Sequence, residues 1–173
     1  MKQIHNTLPI YQELNFLDFK NSLIEVSRKK IVEIYYNEVF DNAGYNVMTD
    51  TDEGIFKDLY AKFIEFCKDN FDTYDRPISY KRRYFPMVNN EDYCPLNWHN
   101  HIGTSDSMVG VYYLSVPKGM VGGEITFKEE SNEFSHRPIE NSLVVFPNWL
   151  YHTTNYISGK EYRISINMEF NYE

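Results

Sequence analysis

The chain has 173 residues, 42% of them hydrophobic and 17% aromatic, with a formal net charge of -8. A chain of this length normally makes one domain with a sizeable core. Its acidic balance excludes a general nucleic-acid binder, because phosphate contacts need clustered Lys and Arg. The basic clusters, Arg28-Lys29-Lys30 and Lys81-Arg82-Arg83, read as solvated faces.

From about 16 to 40, Phe16, Phe19, Leu23, Val26 and Ile34 recur at helical steps with charges between them, which predicts a first helix. Asn42-Ala43-Gly44 signals a turn. Between Glu53 and Phe71, the residues Ile55, Phe56, Leu59, Phe63 and Phe66 make one apolar stripe, with Thr51 or Asp52 as the cap, and predict a second helix. After Pro77 the pattern changes to short strands: about 78 to 88, Met108 to Val116, Glu124 to Phe127, Ser142 to Phe146, and Arg163 to Phe170. The last of these alternates, with Ile164, Ile166 and Met168 on one side and Ser165, Asn167 and Glu169 on the other. Short strands separated by turn residues suggest a sandwich or barrel. The expectation is a single domain over 1–173, helical to about 76 and β from about 77, with both helices packed on one sheet. Loops 89–97 and 128–141 are expected to read the substrate, the charged stretch from Lys128 to Pro138 as a mobile one.

Cys67 and Cys94 make no disulfide framework and no C-x-x-C, so both read as free thiols in a reducing compartment. No apolar run reaches membrane-spanning length, and Met1-Lys2-Gln3 opens without a signal-peptide core. A cytoplasmic protein, monomer or homodimer, without membrane or nucleic-acid partners is expected.

The chemistry concentrates in Trp98-His99-Asn100-His101, His152 and Arg163. Residues i and i+2 of an extended segment share a face, so His99 and His101 point the same way. Two imidazoles on one face chelate a divalent metal; they are equally a neutral pair that water serves. His152 stands where a strand enters a turn and is the candidate third ligand, and imidazole favours Fe, Zn, Cu or Ni. His5 and His136 read as solvated. Arg163 opens the alternating strand with Ser165 on its face; buried, the pair makes a carboxylate clamp, and at the surface it is an ordinary strand start. Trp98, Trp149 and Tyr151 are read equally as pocket walls or as core.

In order, the chain carries H-x-H, Tyr112-Tyr113-Leu114, Gly122-Gly123-Glu124-Ile125-Thr126-Phe127, Leu143-Val144-Val145-Phe146-Pro147, His152 and Arg163-Ile164-Ser165. This order resembles the 2-oxoglutarate- and Fe(II)-dependent oxygenases of the prolyl 4-hydroxylase-like branch, and is similar in particular to small bacterial and phage-encoded members. The resemblance covers roughly residues 80 to 171. It implies a double-stranded β-helix, a cupin-like jelly roll, with Fe(II) at its open end and 2-oxoglutarate and O2 as co-substrates. It matches His99 and His152 to the metal ligands, and Arg163, Ser165, Tyr113 and Tyr84 to the 2-oxoglutarate pocket. It further implies hydroxylation of an unactivated C–H on a peptidyl substrate, prolyl for instance, or on a small molecule, in the host cytoplasm if the chain is phage-encoded.

One position departs from the family pattern. His101 stands where the facial triad has a carboxylate. Three assignments follow: His101 is the third ligand; Asp106 supplies the carboxylate from the loop after Gly103; or His101 is the first ligand and Gly103 marks the vacant position. Two rival functions remain beside the hydroxylase: a non-catalytic cupin-like metal-binding protein, and a three-histidine metal oxygenase that does not use 2-oxoglutarate.

Overall fold

The computed structural model describes residues 1–18, 21, 45–46, 54–71, 83–92, 97–101 and 107–170. The strands are β1 (Lys2–Gln3), β2 (Tyr11–Leu14), β3 (Tyr45–Asn46), β4 (Arg83–Asn89), β5 (Met108–Ser115), β6 (Val121–Gly122) and β7 (Ile125–Glu129). They continue with β8 (Asn132–His136), β9 (Ser142–Pro147), β10 (Tyr151–Thr154), β11 (Ile157–Ser158) and β12 (Arg163–Phe170). One helix, α1 (Gly54–Asn70), lies between β3 and β4. The strands form a seven-stranded sheet in the order β1-β2-β9-β5-β12-β4-β3, a three-stranded sheet β10-β7-β8 and a two-stranded sheet β11-β6.

β5, β9 and β12 are central strands, and β5 and β9 are buried along their whole length. Their alternation therefore separates two apolar faces. On one, Tyr112, Leu114, Leu143, Val145, Ile164, Ile166 and Met168 pack with Leu59, Phe63 and Cys67 of α1. On the other, Val109, Val111, Tyr113, Val144 and Phe146 pack with Ile125 and Phe127 of the small sheet. The layers are thus helix, large sheet, small sheet. Gly110 permits the first contact: a methyl group there would stand 2.5 Å from Cε2 of Phe63. Gly122 permits the crossing of β6 and β11. Its φ is +81°, and a methyl group would run into the carbonyl oxygen of Tyr156.

The expectations of a barrel, of two helices and of a mobile stretch after Lys128 are corrected. The fold is mainly β, but among the described residues no sheet closes into a barrel, and one helix stands rather than two. Among the described residues the joining strands are short: β6 and β11 pair over two residues, and His99 joins β10 through a single bridge. The expected first helix falls almost wholly outside the described residues, while the chain before it runs extended. There β2 pairs with β9 and β1 with β2, completing one edge of the large sheet. The third correction concerns the charged stretch from Lys128. It is a hairpin, with β8 paired to β7 from Asn132 to His136. Glu130 holds the turn at φ 54°. The second expected helix and the strand after it correspond to α1 and β4.

Candidate metal centre

The residues 97–101 run alongside the 148–152 turn. His99 and His152 exchange both backbone hydrogen bonds, at 3.1 and 2.9 Å, and the His101 amide donates to the Asn148 carbonyl at 2.9 Å. In antiparallel pairing, directly opposite residues share a face, so the bridge places the His99 and His152 rings side by side, 4.3 Å between centroids. Alternation brings His101 to the same face. Its ring stacks on that of His152 at 5.1 Å, 7° between planes. One ligand nitrogen from each of the three residues falls within 4.8 Å of the others.

Each Nδ1 is tied outward. In His99 it meets the Asn97 carbonyl at 2.9 Å, in His152 the Leu150 carbonyl at 2.9 Å, and in His101 the Glu169 carboxylate at 2.8 Å. All three partners are acceptors, so each Nδ1 is the donor, and a neutral ring then carries its lone pair on Nε2. Nε2 of His101 and of His152 are 3.3 Å apart. With metal–nitrogen bonds of about 2.0–2.1 Å, two ligands of one ion are separated by about 3.0–3.4 Å. A single shared proton would satisfy that pair; a third imidazole in the same cluster is what a metal uses and a proton does not. The donor set fits an ion such as Fe, Zn, Cu or Ni.

His152 is 6% exposed. Its ring lies 4.7 Å from Phe146 and 6.3 Å from Phe127. Burial pushes its pKa down to about 3, with the neighbouring His99 and His101 acting in the same direction and the Leu150 hydrogen bond opposing. Burial also lowers His99. Both rings are therefore neutral and able to ligate at neutral pH. In the metal-free protein the depressed His152 value sets a pH dependence. The unfolded chain takes up this proton near 6.5 and the folded chain does not, so stability is lost as pH falls from 6.5 towards 3. Between pH 7 and pH 5 this loss is about 2 kcal/mol, read from urea midpoints of the metal-stripped protein. An unchanged midpoint would contradict it.

The residues matched to an acid pocket lie further along the same face. Arg163, 3% exposed, sits with its guanidinium carbon 5.7 Å from the Tyr113 ring centroid. Its terminal nitrogens donate to the Gly123 carbonyl at 2.8 Å and to Asn89 Oδ1 at 2.7 Å. Its Nε and the Tyr113 hydroxyl are buried without a partner. Burial raises the Tyr113 pKa to about 12, against the pull of Arg163. Ser165 is buried and opposite Tyr113 in the ladder. The backbone of Tyr84 pairs with Met168, and its side chain lies outside the described residues. Asp106 and Gly103 lie outside them too, as does Cys94.

Trp98, Trp149 and Tyr151 are 38%, 46% and 50% exposed, and so are not core. Trp98 carries the Lys128 ammonium 5.7 Å from its ring centroid. Sequence reasoning missed two residues. Asn89 is positioned by its place opposite Arg163 in the β4–β12 ladder, which no local pattern reveals. Glu169 did leave a signal: it is the carboxylate on the polar face of the alternating last strand.

The chain matches no protein-family model and no curated protein. Solved structures do share its fold. A Pseudomonas putida prolyl-4-hydroxylase aligns with a TM-score of 0.68 at 16% identity, over 96% of this chain and 94% of that one. A Trichoplax adhaerens prolyl hydroxylase, in complex with a peptide of the hypoxia inducible factor oxygen degradation domain, gives 0.68 at 14%, over 96% and 84%. A non-heme alpha-ketoglutarate-dependent epimerase from nogalamycin biosynthesis gives 0.70 at 13%, over 95% and 78%. The fold is therefore that of the 2-oxoglutarate oxygenases, and hydroxylases and an epimerase match it equally well.

Proposed function

We propose that this chain is a three-histidine metal protein of the catalytic type, holding one divalent ion on His99, His101 and His152, with iron as the ion and oxygenase chemistry without 2-oxoglutarate as its activity. The observation that carries this reading is one ligand nitrogen from each of three histidines within 4.8 Å of the others, with every Nδ1 tied outward.

The reading of a 2-oxoglutarate- and Fe(II)-dependent hydroxylase is withdrawn. That chemistry is built on two histidines and one carboxylate. Here the cluster is three histidines, and the nearby carboxylate of Glu169 meets the outer nitrogen of His101 rather than joining the cluster.

Structural metal sites close the coordination shell with four protein ligands, whereas catalytic sites hold three and leave a position open. Among the described residues this cluster offers three. The ion would supply Lewis acidity, and iron also dioxygen chemistry. His152 holds the buried side of the site within the Phe127–Phe146 wall, which excludes water. His99 and His101, partly exposed, form the accessible side.

The second reading, a metal-binding protein without turnover, is favoured by Arg163, whose terminal nitrogens already bond to the protein's own acceptors. Metal analysis after loading with Fe(II) or Co(II) should give one equivalent per chain, and azide should perturb the Co(II) visible spectrum through the open position. Oxygen consumption by the Fe(II) form without 2-oxoglutarate separates the two readings. No bound metal would overturn both.

A further inference from the structure

The three Nδ1 partners are unequal. His99 and His152 donate to main-chain carbonyls, whereas His101 donates to a carboxylate. Glu169 sits on β12, opposite Val109 of β5 and Arg83 of β4, in the interior of the seven-stranded sheet. It is 7% exposed. Its own carbonyl accepts the Tyr60 hydroxyl at 2.9 Å, which fastens that point of the strand to α1 from the opposite face. The carboxylate is thus delivered to His101 by a fixed backbone, and the 2.8 Å contact has the length of a charge-assisted hydrogen bond.

We infer that Glu169 is the outer carboxylate of the metal centre. It fixes His101 with Nε2 facing the ion, and it supplies the negative charge that three neutral imidazoles lack. This rests on the metal-centre reading above. A buried carboxylate is costly unless positive charge faces it. An ion on Nε2 adds positive charge across the ring, and the carboxylate in return raises the basicity of the imidazole. The histidine at position 101 and the glutamate at position 169 thereby share the work of one inner-sphere carboxylate. The ion keeps three nitrogen ligands and gains partial neutralisation one shell out. Glu169 is a positioning residue, since it acts through His101.

Glu169→Gln keeps an acceptor of nearly the same shape and removes the charge. Its affinity for Co(II) alone, measured by calorimetry at fixed pH, should fall about 10–100-fold. Its Co(II) absorption bands should shift. Azide should bind its Co(II) form more tightly than the wild-type form, because the centre carries one more positive charge. A folded Glu169→Gln protein with unchanged Co(II) affinity, bands and azide binding overturns the inference while leaving the metal centre standing. Wild-type protein that binds no Co(II) overturns the metal centre itself. Should the glutamine variant not fold, the histidine ring nitrogen spectrum of Zn(II)-loaded wild-type protein decides. A protonated Nδ1 on His101 supports the inference, and metal on that Nδ1 overturns it.

Discussion

His152→Ala lowers the affinity for Co(II) or Zn(II) by more than about 100-fold, because loss of a ligand exceeds the 10–100-fold typical of an outer partner. The expectation rests on how this nitrogen is held. The ring is buried against Phe127 and Phe146, and Nδ1 is tied to the Leu150 carbonyl. Nε2 points at His101 across 3.3 Å. Water cannot replace it without filling an apolar wall. His99 lies on the accessible side, so His99→Ala should also cut affinity but admit a water in its place, with a smaller loss. Calorimetric titration of the metal-stripped proteins, with circular dichroism to establish folding, measures both. Wild-type affinity in folded His152→Ala would remove this residue from the centre.

Phe63→Ala should destabilise the fold by about 3–5 kcal/mol, lowering the melting temperature on the order of 10 °C. Phe63 is fully buried and lies on Gly110, where the central strand β5 has no side chain to move into the vacancy. The strands flanking β5 are paired on both sides, so the cavity collapses poorly and the cost stays high. The metal site lies on the opposite face of the sheet, so metal affinity should be unaffected while urea midpoints drop. A loss under about 1.5 kcal/mol, the cost of a well-tolerated core swap, would contradict the packing described.

The sequence made much of this legible, for local reasons. The stripe of Leu59, Phe63 and Phe66 marked α1, since helical periodicity is written in the chain itself. The alternation from Arg163 to Phe170 marked β12 and its polar face. The hairpin of β7 and β8 was misread because charge was taken for mobility. Cross-strand pairing of Phe127 with Phe134 holds it instead, a pairing that the charged residues between them conceal. The barrel was misjudged similarly: closure depends on how far strands pair, and β6 and β11 stop after two residues.

The candidate site divides along the same line. His99 and His101 were assigned to one face by a two-residue spacing, which any extended segment imposes. The meeting of both with His152, fifty residues on, depends on one backbone bridge at the edge of the small sheet. Which residue types were available for a metal, and which strand faces they occupy, could be read from the chain, because the period of a strand is set by its backbone. The gathering of three histidines, the place of Glu169 behind His101 rather than in the cluster, and the bonds from Arg163 to Asn89 and Gly123 came from the folded chain. Those outcomes depend on strand register and sheet stacking, which sum many weak long-range contacts that no local pattern records.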